Sequence, residues 1–509
     1  MVVEDAIRIA GESCKKIRDM TDSFGQLSLT NATILSKNEN IYEISELKEP
    51  VKEITIRARL TSIRQLPRVS FLILRDQNHQ TMQAIVMKKS SELFKFTNKD
   101  LKSESIILLQ GELVKAQTEV LSCTVKNLEL LVSKIFCIGK AYEGDLLISD
   151  EMENEPDSNT NLTYVDMLHP ENVEGSLAPD LFKKLNNRIL DLRIPSNHSL
   201  FKTISIITNC MRSFLIENDF MEIFTPKLLG TASEGGSEFF EVKYFDKKAF
   251  LSQSPQLYKQ MAICSDFNRV FTVGPVFRAE NSYTHRHMTE FTGFDLEMTF
   301  KNHYHEVVRF VAKMFTNMFD HVFNKCSHHI ENLEAHFGKF DPIKFDDEIR
   351  IFHYREAISL LRGEGVEIGD FEDINTTNEK LLGKIIFKKY NTHFYVIDKF
   401  PLENRAFYSM DDTDEPGSGY SNSYDFFIRG EEVLSGSQRI SDAKMLLKRI
   451  EERKIDPKPL RSYINSIGLG VYPHAGVGIG LERLPLLMFG LSNIRKSSLF
   501  PRDPSRLEP

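Results

Sequence analysis

Between Arg269 and Met298 the chain reads RVFTVGPVFRAENSYTHRHMTEFTGFDLEM, two strand-like runs joined by a polar, basic stretch. Side chains alternate across a strand, so Arg278 and Glu280 fall on one face of the first run. Phe291, Gly293, Asp295 and Glu297 fall on one face of the second. The connecting stretch adds His285, Arg286, His287 and Met288. A half-buried structural hairpin would carry apolar residues at those positions. An arginine, a ring and carboxylates gathered on one surface fit a ligand that combines negative charge, a metal ion and a flat base. ATP is such a ligand.

Four other segments carry polar residues at suggestive spacings. In LSQSPQLYKQMAI, Ser254 suits a helix N-cap and Pro255 the first helical position, which puts Gln256 and Lys259 on one face of the first turn. A lysine there opposes the helix dipole, so it calls for an anionic partner. The loop TASEGGSEFF places Ser233 and Glu234 beside Gly235 and Gly236, whose backbone freedom suits a loop that moves over a substrate. Glu234 can then meet an ammonium group; taken alone, the loop reads as an ordinary glycine turn. In YSNSYDFFIRGEEVLSGSQRI, Ser435, Ser437 and Arg439 share strand parity, and Glu432 joins them only through a bulge or turn near Gly436. Glu432 and Ser435 are hard oxygen donors of the kind that hold Mg²⁺ on a triphosphate. Finally, HAGVGIGLERLPLLMFG alternates Gly476, Gly478 and Gly480, a bare floor for a flat base. A helix starting near Leu481 then carries Arg483 in its first turn, placed for phosphate, and turns Leu484, Leu487 and Met488 to the core.

The elements that must position these residues are legible in outline. A length of 509 residues predicts two to four domains. An apolar fraction of 41% with 37 Phe and no Trp supports a substantial core. No apolar run is long enough for a membrane span, and the charged N-terminus does not read as a signal peptide. Cys14, Cys123, Cys137, Cys210, Cys264 and Cys326 are scattered without CxxC pairs, as suits a reducing cytosol. The group Cys326, His328, His329 and His336 fits no standard zinc spacing and reads as a helix surface. A net charge of −8 argues against coating nucleic acid by charge alone, though a local basic surface on an acidic body still binds RNA.

Residues 1–45 read as an appendage with a short helix over 3–20. From 46 to 138, five short strands (VKEITIRARL, VSFLILRD, TMQAIVMK, SIILLQGELVK and LSCTVKNLELLV) predict an OB-fold barrel. Residues 139–195, with the acidic DEMENEPDSNTN, read as a hinge or linker. Residues 196–509 form the large domain, with 301–400 expected as an inserted helical region that packs and shapes.

Taken in order, FRAE at 277–280, GFDLEM at 293–298 and GIGLER at 478–483 resemble motifs 2 and 3 of the class II aminoacyl-tRNA synthetases. FMEIFTPKL, ending near Pro226, is similar to motif 1. SEGG at 233–236, SPQLYKQ at 254–260 and SGSQRI at 435–440 resemble the aspartyl branch, in its eukaryotic and archaeal cytosolic form. The resemblance runs from about residue 50 to the C-terminus, while residues 1–45 match loosely. It implies an α+β multidomain protein, an N-terminal OB-fold β-barrel followed by an antiparallel catalytic sheet flanked by helices. The implied reaction is aspartate–tRNA ligation: ATP and L-aspartate give aspartyl-adenylate, and the 3′ end of tRNA-Asp takes the aspartyl group.

The resemblance also implies roles. Arg278, Glu280 and Arg483 would be catalytic, with Arg278 on the α-phosphate and substrate carboxylate and Arg483 on the γ-phosphate. Phe291 would stack on adenine, and Arg286, His287, Met288, Glu432, Gly480, Leu481 and Glu482 would complete the ATP site. Ser233, Glu234, Gln256, Lys259, Arg278, Asp295, Ser435 and Arg439 would hold aspartate. Lys259 and Arg439 would meet its side-chain carboxylate, with Asp295 fixing the lysine. Glu432 and Ser435 would bind Mg²⁺, and no zinc is expected. Phe71, Arg75 and Gln83 would read the anticodon. The implied particle is a cytoplasmic homodimer built on motif 1, off the membrane, and compatible with a larger synthetase assembly. An asparaginyl enzyme would share the ATP residues without needing Lys259. A catalytically silent binding paralogue would be expected to have lost Arg278, Glu432 or Arg483, and all three are present.

Overall fold

The computed structural model describes residues 24–26, 40–141, 181–230 and 239–508. The helix expected over 3–20, the acidic stretch DEMENEPDSNTN and the loop Ser233–Gly236 lie outside them. The chain divides into two compact units, Met1–Ile194 and Pro195–Pro509.

The first unit is a barrel. Its strands are β1 (Phe24–Gln26), β2 (Ile41–Tyr42), β3 (Val51–Gln65), β4 (Val69–Arg75), β5 (Thr81–Met87), β6 (Ile106–Lys115) and β7 (Leu128–Gly139). The sheet runs β7-β5-β4-β3, and β6 closes it by pairing with both β3 and β7. Alternation sets the inside: Ser70, Leu72 and Leu74 of β4 are buried, while Phe71 and Ile73 face outward. The fifth barrel strand starts at Leu128, not at Leu121 as expected. Residues 121–127 turn instead, because Thr124 is tied sideways to Thr81 through both backbone and hydroxyl. A helix, Ser91–Lys99, that the strand pattern did not predict plugs the barrel with Leu93 and Phe94.

The second unit is built on an eight-stranded sheet in the order β14-β15-β16-β17-β18-β13-β12-β8. Its members are β8 (Met221–Glu222), β12 (Arg269–Phe277), β13 (Glu290–Thr299), β14 (Arg350–His353), β15 (Phe394–Asp398), β16 (Ser423–Ile428), β17 (Glu431–Gln438) and β18 (His474–Gly480). Only the outermost pairs at the two edges are parallel. A small sheet of β9 (Leu228–Leu229), β10 (Glu241–Tyr244) and β11 (Lys247–Leu251) stands beside it. Helices Pro195–Glu217 and His305–Lys325 cover one face, where Phe294, Leu296, Leu434, Val477 and Ile479 join Met211, Val311 and Phe315 in one core. Period-two alternation sends Asp295, Glu297, Ser435, Ser437 and the three strand glycines to the opposite face.

Residues 301–400 are not an insertion around this sheet. They supply the covering helix His305–Lys325 and two of its strands, β14 and β15. The strand FYVID at β15 is buried along its whole length, so it lacks the polar-apolar alternation that reveals a half-exposed strand. The cysteine–histidine group expected on a helix surface lies there in part. Cys326 is buried at the start of the helix Ser327–Phe337, whereas His328 is exposed; the side chain of His336 is outside the described set.

Candidate active site

Strand register assembles the site in two rows. Asp295 pairs with Gly478, Gly478 with Ser435, and Ser435 with Asp425. One step along, Glu297 pairs with Gly476 and Gly476 with Ser437. The glycines make room for the carboxylates beside them. A Cβ at Gly476 would lie 2.1 Å from Oε2 of Glu297, and one at Gly478 would lie 3.0 Å from Oδ1 of Asp295. Gly476 is therefore a berth for Glu297 and no part of a floor for a base. Gly478 and Gly480 do line the cavities above the sheet.

Two neighbouring cavities of about 300 and 270 Å³ share Arg278, Phe291, Ser435, Gly478 and Gly480. The inner one is closed by Gln256, Asp295, Arg405, Tyr408 and Arg439. Arg439 donates to both oxygens of Glu297 (2.8 and 3.1 Å), to Ser437 Oγ (2.6 Å) and to Gln256 Oε1 (3.3 Å). Burial alone would raise the Glu297 pKa, but the Arg439 and Lys259 charges outweigh it and hold the carboxyl below the ordinary range.

Lys259 is 0% exposed and does not line the cavity. Its ammonium donates to Asp295 Oδ1 (3.0 Å), Val477 O (2.9 Å) and Leu296 O (3.4 Å), with Glu297 Oε2 at 3.6 Å. An ammonium has three N–H bonds, and protein acceptors already engage them. The expected direct meeting of Lys259 with a substrate carboxylate is thus corrected. Lys259 stands behind the wall, bonded to Asp295, while Arg439 lines the cavity with Arg278 and Arg405. The helix carrying Lys259 spans Gln256–Cys264, so Pro255 is the cap residue, one place later than expected. Ser254 still accepts from Gln256 N (3.1 Å).

The outer cavity is lined by Arg278, Glu280, Arg286, His287, Met288, Glu432, Glu482 and Arg483. β12 ends at Phe277, so Arg278 and Glu280 leave the strand instead of sharing its face. The Arg278 guanidinium sits 5.3 Å from the Phe291 ring centre, a cation–π contact. Arg483 is the first residue of the helix Arg483–Met488 and donates to the Glu432 carbonyl (3.1 Å). Glu482 accepts twice from Thr292 N, which anchors β13 to the helix start; the side chain of Leu481 enters the core and not the cavity. Burial pulls His287 below the usual imidazole range, with the adjacent arginines adding to it.

Glu432 does reach the side of Ser435. The β16–β17 register shifts between Phe426 and Phe427, so Val433 is the extra residue, three before the expected Gly436. That bulge puts Glu432, Ser435 and Asp425 on one face. Asp425 and Arg405 had not been singled out in the sequence. Arg405 grips both oxygens of Asp425 (2.9 and 2.6 Å) and donates to Ser435 Oγ (2.8 Å). The Asp425 pKa rises to about 6, because burial, helped by the Glu432 charge, outweighs the lowering effect of Arg405. Asp425 was detectable as a lone carboxylate in the apolar run SYDFFI, whereas Arg405 lies in a loop with no periodic signal.

On the barrel, Phe71 and Gln83 share the outer face and line a groove of about 1140 Å³ with Arg64, Lys115 and Glu129. Gln83 donates to Glu129. Arg75 is buried and turned away, paired with Glu104 at 3.1 Å. Its guanidinium is engaged by Glu104, so it does not line the groove with Phe71 and Gln83.

Residues 181–504 match the family model described as tRNA synthetases class II (D, K and N), and residues 54–138 match the OB-fold nucleic acid binding domain. The chain belongs to the class II tRNA synthetases. This synthetase is 42% identical to the cytoplasmic aspartate–tRNA ligase of Caenorhabditis elegans, over 96% of its own length and 91% of that protein's. The cytoplasmic aspartate–tRNA ligase of Bos taurus is 40% identical and covers 99% of both chains. The solved aspartyl-tRNA synthetase of Entamoeba histolytica superposes with a TM-score of 0.83 at 37% identity, covering 96% of this synthetase and 97% of that chain.

Proposed function

We propose that this synthetase is a cytoplasmic aspartate–tRNA ligase, which activates L-aspartate with ATP and esterifies tRNA-Asp. One observation carries the choice of amino acid. Around the inner cavity, four cations (Lys259, Arg278, Arg405 and Arg439) stand against three carboxylates (Asp295, Glu297 and Asp425). One positive charge is left over. Aspartate, with two carboxylates and one ammonium, brings the matching negative charge; neutral asparagine does not.

The substrate α-carboxylate is already a nucleophile, so adenylation needs no protein base. In-line attack on the α-phosphorus expels pyrophosphate, and the protein contributes alignment and charge. Arg278 lines both cavities and so stands where the carboxylate and α-phosphate meet. Arg286 and Arg483 take the outer phosphates, and Phe291 offers its ring to adenine. Arg439 receives the substrate side chain, with Gln256 beside it and Lys259 holding Asp295 in place.

A magnesium ion fits the outer wall. The Asp425 carboxyl is pushed up to about 6, by burial first and against the Arg405 charge, with Glu432 beside it, so acidic groups crowd this wall. Asp425, Glu432 and Ser435 supply hard oxygens there. The bound ion would neutralise phosphate charge. Around motif 1, Phe224 is 88% exposed, and Met221 and Leu228 are exposed beside it. An apolar patch of this kind supports a homodimer.

The test is ATP–pyrophosphate exchange with aspartate and asparagine supplied separately. Aspartate should support exchange at least a hundredfold better, as expected where a buried charge would otherwise be left unpaired, on the order of 3 kcal/mol. Comparable rates would overturn the aspartate assignment.

A further inference from the structure

The helix Thr376–Tyr390 does not line the nucleotide cavity, yet it grips the loop that does. Glu379 Oε2 is 3.3 Å from Nη1 of Arg286 in the β12–β13 connection. The next residue, Lys380, is 3.3 Å from Glu431 Oε1, whose other oxygen is 3.6 Å from His285 Nε2. Glu379 thus reaches the loop directly, and Lys380 only by way of Glu431. The helix itself is fixed. Asn375 caps it by accepting from Asn378 N (3.0 Å), and Gly383 packs against the β16–β17 turn. A Cβ at Gly383 would lie 2.4 Å from the Cα of Gly430, so the helix rests backbone to backbone on that turn.

We propose that Glu379 is a positioning residue for ATP: it holds Arg286 by one guanidinium nitrogen and leaves the rest of the fork facing the triphosphate. This rests on the reading of the outer cavity as the ATP site. Arg286 lines that cavity and Glu379 stands behind it. Glu379 is the side-chain partner of the Arg286 guanidinium among the described residues, which leaves most of its five donors for phosphate. The other two arginines are held differently, Arg278 over the Phe291 ring and Arg483 on a backbone carbonyl. Glu379 is only 12% exposed, and a buried carboxylate held at a single contact is costly unless its partner is needed where it stands. Fully buried Tyr395, whose hydroxyl has no hydrogen-bond partner among the described residues, lies close enough to feel the Glu379 charge.

The experiment is steady-state ATP–pyrophosphate exchange on the full chain. Glu379→Gln keeps the shape and removes the charge. It should raise KM for ATP about tenfold, in line with loss of a charge-assisted contact, and leave KM for aspartate and kcat within about twofold. In an Arg286→Ala background the same substitution should change KM for ATP by less than about twofold, since its effect runs through that arginine. Lys380→Ala loosens the neighbouring contact and should leave KM for ATP near wild type. If Glu379→Gln folds poorly, Glu379→Asp, which shortens the reach, should shift KM the same way. An unchanged KM in the glutamate variants, an additive effect with Arg286→Ala, or an equal rise with Lys380→Ala overturns the positioning role. If Arg286→Ala itself leaves KM for ATP unchanged, it is the reading of the cavity that falls.

Discussion

At the scale of single residues, the inner wall is a chain of alternating charge: Lys259, Asp295 and Glu297, and Arg439. A lysine against a helix N-terminus demands an anion, and that demand was legible from SPQLYKQ. What could not be read was that Asp295 and Glu297 would satisfy it, because their distance from Lys259 is set by sheet register. Lys259→Met leaves both carboxylates short of a cation in a buried place. It should lower the unfolding free energy at pH 7 by about 3–5 kcal/mol and depress aspartate activation well beyond any change in KM for ATP. The pH dependence follows from Glu297. Its folded pKa lies below the ordinary 4.5, so it contributes stability above that value and loses it as pH falls through the folded pKa. Without Lys259 the folded pKa moves up towards the unfolded value, so the acid loss of stability from this carboxyl should become smaller and end at a higher pH than in the wild type. Urea unfolding from pH 7 to pH 3 reads both effects. Identical acid profiles would mean that Lys259 does not act on Glu297.

Elements decide which polar residues meet. The GVGIG strand was recognisable from its glycines, yet their purpose is visible only in β13, where each carboxylate lies under a missing side chain. The bulge in β17 was likewise demanded by the parity of Glu432 and Ser435, while its place at Val433 depends on the pairing with β16. Strands that alternate were legible, such as β4 and β13. Strands buried on both faces, such as β15, were not, and neither was Glu379, whose importance comes from the helix packing of Gly383. These packing arguments predict that Gly476→Ala is severe. Its methyl would fall 2.1 Å from Glu297 Oε2 and 2.3 Å from Leu296 O, so the strand pair or the carboxylate must move. Exchange activity should drop by two orders of magnitude or more, on the order of 3 kcal/mol in the barrier. Gly363→Ala, with nothing within 4 Å, should stay within about 0.5 kcal/mol of wild-type stability and serves as the control. Near-normal exchange in Gly476→Ala would show that Glu297 has room that the register denies it.

At the scale of the whole molecule, the cavities lie in the sheet unit, while the barrel is the unit that matches a nucleic acid binding domain. The outward face of β4 and β5 presents Phe71 and Gln83 above a groove that also holds Arg64, Lys115 and Glu129. Ring, amide, cations and carboxylate together suit an unstacked base: the ring stacks, the amide and Glu129 bond base edges, and the cations follow the backbone. Phe71 is half-buried, not packed into the barrel core, so removing its ring costs little folding energy. Phe71→Ala should therefore lower kcat/KM for tRNA about tenfold to a hundredfold, the 1–3 kcal/mol of one stacked base, and leave ATP–pyrophosphate exchange unchanged. Arg75→Ala should behave in the opposite way. It strips a buried partner from Glu104, so it should lower the melting temperature of the barrel before it touches any RNA contact. Parallel aminoacylation and exchange assays on the two variants discriminate. If Phe71→Ala reduces both reactions equally, the ring is part of the scaffold and the anticodon reading of this face fails.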